Sequence, residues 1–268
     1  MREEPRLRVA FFRPDDERTD DAVELLESLG ADPVPDPMLA VEPTDATPKT
    51  DAVGSSGSDE PSPVVPREDA DYAVLTSKTG VELAAEAGWG PGEAAVCAIG
   101  EPTADALRAA GYSVDLVPDE YSSSGLVDAL ADDAAGARIE VARSDHGSDV
   151  LTDGLEDAGA YVHETVLYRL VRPESAGESA ELAAGGDLDA ALFTSSLTVT
   201  HFLAAADERG VRDAAVDGLN DAVVGAIGEP TRRTAEDAGI EVDVVPEAAD
   251  FDALAAEAVE EAAPSYDE

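Results

Sequence analysis

Two identical hexapeptides, Ala98-Ile-Gly-Glu-Pro-Thr103 and Ala226-Ile-Gly-Glu-Pro-Thr231, stand 128 residues apart. The register holds beyond them: Ala110-Gly111 and Val114-Asp-Leu-Val-Pro118 are answered by Ala238-Gly239 and Val242-Asp-Val-Val-Pro246. Each copy reads as strand, turn, helix and strand. The apolar run Ala94–Ile99 suits a buried strand, with Val114–Val117 as the strand that closes the unit. Pro102 suits a first helical turn, where its missing N–H is not needed, and Gly111 sits where a helix ends in left-handed backbone. A chain that spells this unit twice is expected to hold two similar domains, with a site between them.

Outward from the duplicated unit the alternation continues. Leu7–Phe12 reads as a short buried strand. Asp20–Leu29 reads as a helix with Ala22, Leu25, Leu26 and Leu29 on one face, stopped by Gly30. A strand at Asp71–Thr76 and a helix at Thr79–Ala87 lead into the first hexapeptide, and a helix at Ser124–Asp132 follows it. The opening pattern restarts at Arg138–Ala142 and Asp149–Ala158, with Gly159 in the place of Gly30 and Arg143 in that of Arg13. Asp189–Thr194 repeats Asp71–Thr76, so Thr194-Ser195 answers Thr76-Ser77. Strands alternating with helices at this spacing imply an α/β fold of parallel sheets covered on both faces. Such sheets hold ligand groups at their strand carboxyl ends. Arg13, Thr76-Ser77, Gly100–Thr103, Arg143-Ser144, Thr194-Ser195-Ser196 and Gly228–Thr231 all fall at such ends. Glu42–Asp69 is dense in Pro, Ser, Thr, Gly and Asp, and reads as a solvated loop without assigned chemistry.

The formal charge is −43, from 60 Asp and Glu against 17 Lys and Arg, and Lys49 and Lys78 are the only lysines. The acids are interleaved with helix and strand patterns throughout, so a disordered tail does not account for them. An acid-rich, lysine-poor surface on a foldable sequence is expected in the cytosol of a salt-accumulating microbe. The Debye length there is about 3 Å at molar salt, which mutes self-repulsion. Nucleic acid is not expected as a partner, because phosphates require a basic face. The lone Cys97 leaves no internal disulfide and no cysteine metal cluster. Met1-Arg-Glu-Glu-Pro5 has no apolar h-region, and no apolar run reaches membrane-spanning length. The expectation is a soluble cytoplasmic protein with no membrane partner, and a monomer, since no heptad or broad exposed apolar stripe is evident.

The common catalytic spellings are missing: no Gly-x-Gly-x-x-Gly, no phosphate-loop lysine, no Gly-x-Ser-x-Gly and no His-Glu-x-x-His. His146, His163 and His201 are scattered. Ser144-Asp145-His146 spells a triad, but neighbours on one turn do not converge, so it reads as surface loop. Asp15-Asp16 resembles the acid pair of a phospho-receiver domain. No acceptor aspartate ends a central strand, so the pair reads as helix-start charge. What remains is Gly, Ser and Thr at strand ends, each opening a helix. Helix starts present unpaired backbone N–H groups and a positive dipole end, which bind carboxylate or phosphate without lysine. Singly, Thr103, Thr231, Thr76 and Ser195 read as helix caps. Equivalent positions in two domains point instead to an anionic ligand in a cleft. Tyr168, in Thr165-Val-Leu-Tyr-Arg-Leu-Val171, is the candidate for chemistry, against a packing role with its hydroxyl at the rim.

At this point the chain resembles a known family, the uroporphyrinogen-III synthases. The residues carrying the resemblance are the recurring Ile-Gly-x-x-Thr loops, the strand-end Thr-Ser pairs, the runs ending in Pro118 and Pro246, and Val166-Leu-Tyr-Arg169. They stand in the family's order from Val9 to Glu261. The resemblance implies two flavodoxin-like parallel-sheet domains, interleaved in sequence and joined by two extended linker strands. Residues 1–37 and 173–268 would form one and 38–172, with the loop 42–69, the other, the crossings falling near Val34–Val41 and Val166–Arg172. The repeat alone would place the cut near Gly136.

The reaction implied by the resemblance is closure of linear hydroxymethylbilane to uroporphyrinogen III with loss of water. The terminal hydroxyl leaves, the last pyrrole attacks through its substituted carbon, and a spiro intermediate recloses with that ring inverted. No cofactor or metal is implied, and the partner is the poly-carboxylate tetrapyrrole substrate. By position, Tyr168 matches the family's tyrosine assigned to help the hydroxyl leave. Thr103 and Thr231, on loops opened by Gly100 and Gly228, match threonines facing the cleft. Thr76, Ser77, Ser144, Thr194, Ser195 and Ser196 are assigned binding only. Arg13 and Arg143 are candidates for carboxylate contact, against local ion pairing on an acid-rich surface. Two other classes stay open here: a non-enzymatic two-domain clamp for a small anion, and a scaffold of tandem flavodoxin-like domains.

Overall fold

The parallel strands fall into two separate sheets. A computed structural model describes residues 6–14, 17–46 and 62–263. The chain divides into two units, Met1–Ala40 with Val171–Glu268, and Val41–Leu170. Gly136 lies inside the second of these, so the cut that the repeat alone suggests is not the one the fold makes. Asp15 and Asp16 lie outside the described residues.

In the first unit β1 (Arg8–Phe12) leads through α1 (Glu17–Ser28) to β2 (Asp32–Pro35). The later segment supplies α6 (Glu178–Gly185), β10 (Ala190–Phe193), α7 (Ser196–Glu208), α8 (Arg212–Asn220), β11 (Val223–Ala226), α9 (Glu229–Asp237) and α10 (Phe251–Ala262). The sheet runs β11-β10-β1-β2, parallel throughout, with Val9 opposite both Ala190 and Pro33. Successive side chains point to opposite faces. Ala10, Phe12, Ala191 and Phe193 therefore pack on residues of α6 to α9, while Val9, Phe11, Ala190 and Leu192 pack on α1 and α10. The rings of Phe12 and Phe193 stand 4.6 Å apart, and Phe202 joins them at 5.5 and 5.7 Å. Asp36, 4 % exposed, pins the chain after β2 to the start of α6. Its carboxylate accepts from the Gly177 N–H at 2.8 and 3.0 Å, from the Ser179 N–H at 2.9 Å and from the Ser179 hydroxyl.

The second unit holds β3 (Ala40–Pro43), β4 (Asp45–Ala46), β5 (Ser62–Pro63), β6 (Tyr72–Leu75), α2 (Lys78–Glu86), β7 (Ala95–Ala98) and α3 (Glu101–Ala109). It continues with α4 (Ser123–Leu130), β8 (Arg138–Ser144), α5 (Asp149–Asp157) and β9 (Tyr161–Val171). Its main sheet runs β3-β9-β8-β6-β7, and β4 pairs β5 antiparallel. Ala73, Leu75, Val96 and Ala142 pack with α2 and α3, and Val74, Cys97, Ile139 and Val141 with α4 and α5. The stretch Glu42–Asp69, expected as loop, thus carries short strands; residues 47–61 of it lie outside the described set. Among the described residues, no helix is long and apolar enough to cross a membrane.

Each sheet joins the opening strand–helix–strand of one repeat to the closing half of the other. β1 and β2 sit beside β10 and β11, and β8 and β9 beside β6 and β7. The expected strand at Val114–Val117 and its copy shrink to single bridges, Cys97 with Leu116 and Gly225 with Val244. In both copies an aspartate side chain adds to the few backbone bonds: Asp115 Oδ2 accepts from the Val96 N–H and Asp243 Oδ2 from the Val224 N–H, each at 2.8 Å. Pro118 and Pro246 then lack the N–H that pairing would need to continue. Gly111 and Gly239 end their helices at φ +90° and +86°, the left-handed backbone that the repeat anticipates.

Candidate functional site

In the second unit the carboxyl ends of β6, β8 and β9 line a hollow of about 280 Å³. Thr76 and Ser77 follow β6, Arg143 and Ser144 end β8, and Tyr168 stands on β9. Ser77 is the N-cap of α2, and its Oγ accepts from the Gly80 N–H at 3.0 Å. The Tyr168 hydroxyl donates to the same oxygen at 3.0 Å. Both acceptor positions of Ser77 are thereby filled, so its own proton is directed elsewhere. The tyrosine is 6 % exposed. Gly80 leaves it room, because a Cβ there would stand 3.1 Å from Ser77 Oγ and 3.9 Å from Tyr168 Cε1.

Arg143 is only 4 % exposed and its guanidinium is engaged within the protein. Nη1 donates to the Ser148 carbonyl at 2.5 Å and Nη2 to the Glu164 carboxylate at 2.6 Å, while Nε is buried without a partner among the described residues. Gly147 passes so close that a Cβ would meet Arg143 Cδ at 2.2 Å. Arg143 therefore holds the turn from Ser144 to Ser148, and Ser148 caps α5. Within that turn Asp145 accepts from the His146 ring at 2.8 Å and from the Leu170 N–H at 3.1 Å. Burial raises the Asp145 carboxyl, but those hydrogen bonds, with the electrostatic attraction of the His146 ring and a backbone N–H beside it, together hold the group below the ordinary carboxylate value. Ser144 Oγ accepts from the His146 backbone N–H at 3.4 Å, while the His146 ring bonds to Asp145. The three residues that spell a triad make a turn.

Gly100 caps α3 without a side chain, and Gly228 caps α9 in the same way. Thr103 and Thr231 lie one turn in and are 4 % and 3 % exposed. Gly100 is itself buried and Gly228 half-buried, so the threonines are enclosed and do not stand exposed at these turns. Tyr121 covers the first of them: a Cβ on Gly100 would stand 3.1 Å from its Cγ. Ser123 and Ser148 also line the hollow and are not singled out from sequence, and His146, read there as part of a surface loop, lines it too. The signal for Ser123 was the run Ser122-Ser123-Ser124 ahead of an apolar helix, since Ser122 caps α4 through the Gly125 N–H at 3.0 Å.

The corresponding turns of the first unit are built alike. Ser195 Oγ accepts from the Thr198 N–H and Thr198 Oγ1 from the Ser195 N–H, each at 3.2 Å, a reciprocal box that opens α7. Thr194 donates to the Phe12 carbonyl. Ser196 Oγ donates to the Pro230 carbonyl at 3.0 Å and so ties this turn to Gly228–Thr231. Arg13 stacks over the Phe251 ring, 4.6 Å from its centroid. A larger hollow of about 420 Å³ lies at the opposite, amino ends of β8 and β9, against Arg138 and Tyr161, and none of the candidate residues lines it. Among the described residues no group of three or more His, Cys, Asp or Glu could hold a metal ion.

Known proteins resemble this chain in sequence and in fold. The family model described as uroporphyrinogen-III synthase HemD matches residues 20–256. A putative uroporphyrinogen-III synthase of Methanothermobacter thermautotrophicus is 34 % identical over 242 residues, covering 87 % of this chain and 90 % of that protein. One from Archaeoglobus fulgidus is 28 % identical over 186 residues, covering 69 % and 76 %. Among solved structures, a uroporphyrinogen III synthase of Thermus thermophilus superimposes with a TM-score of 0.64 at 21 % identity, over 96 % of this chain and 98 % of that one. At that identity the likeness speaks for the fold alone. The extent of the family match, together with the Methanothermobacter relative, establishes that the chain belongs to the uroporphyrinogen-III synthase family.

Proposed function

We propose that this protein acts as a lyase that closes hydroxymethylbilane to uroporphyrinogen III, eliminating water and inverting the last ring. Within the family frame, the observation that carries the reading is the Tyr168–Ser77 hydrogen bond in the hollow of the second unit. Ser77 already accepts twice, so its proton is the one free to be donated to a departing hydroxyl, and the Tyr168 proton replaces it. The carbon–oxygen bond breaks, the donated proton leaves within the water, and the proton lost when the macrocycle closes returns to the pair.

The helix starts at Ser77 and Ser148, both beside the hollow of the second unit, supply backbone N–H groups for substrate carboxylates without adding cationic side chains. Arg143 contributes by fixing the Ser144–Ser148 turn. Holding a flexible poly-carboxylate in its reactive fold can account for much of the rate enhancement. The −43 charge fits work in concentrated salt, and we assign the protein to tetrapyrrole biosynthesis as a cytoplasmic monomer. A non-enzymatic anion clamp is not favoured by the family match.

The test is to incubate the protein with hydroxymethylbilane and separate the uroporphyrin isomers by chromatography. Uncatalysed closure gives the type I isomer. Enrichment of type III supports the reading, and type I alone overturns it.

A further inference from the structure

The two hexapeptide turns are identical in sequence but not in surroundings. Gly100 is capped by the Tyr121 ring, whose Cβ and Cγ would both lie 3.1 Å from an added Cβ. At Gly228 the same probe meets, among the described residues, only Pro230 Cδ, at 3.9 Å. The register of the repeat explains the difference. Ser122, the N-cap of α4, answers Asp250, the N-cap of α10, so Tyr121 answers Ala249.

An alanine therefore suffices at this position for the turn and for the helix that follows. A tyrosine before an N-cap can pack on the fourth helical residue as a hydrophobic staple. Here the fourth residue, Leu126, is fully buried and Tyr121 is still 61 % exposed, so most of the ring is not spent on packing. Its two neighbours in space and sequence do line the hollow: Ile99 precedes the covered glycine, and Ser123 lies two residues on. Tyr121 is not itself part of the lining, but its exposed ring packs on Gly100, next to Ile99 of the hollow that holds Tyr168 and Ser77.

We infer that Tyr121 is a specificity-determining residue whose ring stacks against a pyrrole ring of the substrate. This rests on the reading of the hollow as a hydroxymethylbilane site. Offset or tilted stacking of two small aromatic rings is a weak, geometry-selective attraction that adds to the grip on the carboxylates. It acts on bound substrate and reacting complex alike, so its loss shows in KM and not in kcat. Ala249 offers no such face, which makes the two halves of the duplicated framework unequal in the ring they can hold.

The experiment measures type III isomer formation against hydroxymethylbilane concentration for the unaltered protein, Tyr121→Ala and Tyr121→Phe, with thermal melts of all three in molar potassium chloride. Tyr121→Ala is expected to raise KM about three- to tenfold with kcat within about twofold. Tyr121→Phe, which keeps the ring, is expected to restore the original KM. Unchanged KM in Tyr121→Ala, with or without a lower melting temperature, overturns the inference and leaves a staple. A phenylalanine variant as impaired as the alanine variant also overturns it, since the ring would then not be the active part. If the unaltered protein yields no type III isomer, the functional reading itself fails and the inference falls with it.

Discussion

The Ser77–Tyr168 pair makes a demanding prediction, because one bond is asked to serve both stability and turnover. Ser77→Ala removes the cap of α2, worth about 1 kcal/mol. It also strands the Tyr168 hydroxyl, at a further cost of about 1–2 kcal/mol for a group this enclosed. Tyr168→Phe removes only the donor and should cost about 1 kcal/mol, since Ser77 keeps the Gly80 N–H. With the phenol gone, Ser77→Ala loses the cap alone. The double variant should therefore be destabilised by about 2 kcal/mol, less than the sum of the singles by about 1–2 kcal/mol. Turnover should follow the same logic. Each single variant is expected to slow type III formation at least about tenfold, and the double variant no more than about threefold beyond the slower single, because the groups act as one relay. Urea unfolding and initial rates, both in molar potassium chloride, supply the two cycles. A coupling below about 0.3 kcal/mol together with multiplicative rate losses would refute the relay, and leave Tyr168 a packing residue.

Other expectations are simpler to check. Asp36→Ala leaves the Gly177 and Ser179 N–H groups buried without their acceptor and should cost about 3 kcal/mol in urea unfolding, whereas Asp36→Asn, which keeps one oxygen acceptor, should cost less; a loss under about 0.5 kcal/mol for the alanine variant contradicts the clamp. Burial, with the Asp115 charge adding to it, pushes the Cys97 thiol up to about 12. At pH 8 only about one molecule in ten thousand then carries the thiolate, so iodoacetamide should label the folded protein far more slowly than the urea-unfolded chain. Type III formation and helical circular dichroism should rise together with potassium chloride concentration, as screening relieves the −43 charge; a rate that is greatest in dilute buffer speaks against salt adaptation.

Much of the candidate site was legible because helix starts announce themselves. Ser77 and Ser195 cap helices just where a strand-end serine precedes an apolar helical pattern, and Gly100 and Gly228 open theirs with proline in the first turn. Which partner Arg143 takes was not legible. Substrate-carboxylate contact and local ion pairing both stood open for it, and in the fold Glu164 on the neighbouring strand and the Ser148 carbonyl take its guanidinium. Glu164 is distant in sequence and adjacent only through the pairing of β8 with β9. Tyr121 was silent for a similar reason, because only the folded turn lays it over Gly100. The shortened strands at Leu116 and Val244 were half visible: the prolines were plain, but the aspartates' capture of a strand N–H depends on the partner strand.

Local order is what the sequence determined by itself. The period of apolar residues, the capping residues and the glycines set where strands and helices begin and end, since those are short-range preferences of backbone and side chain. Which sheet each strand joins was decided only in three dimensions. Tyr72-Ala-Val-Leu75 and Ala190-Ala-Leu-Phe193 are equally short, apolar and followed by a Thr-Ser pair, and parallel backbone hydrogen bonds do not distinguish them. β1 pairs with the second of these strands, and there Phe12 closes a ring cluster with Phe193 and Phe202. Packing complementarity between segments far apart in the chain selects that partner, and no window of local sequence contains it.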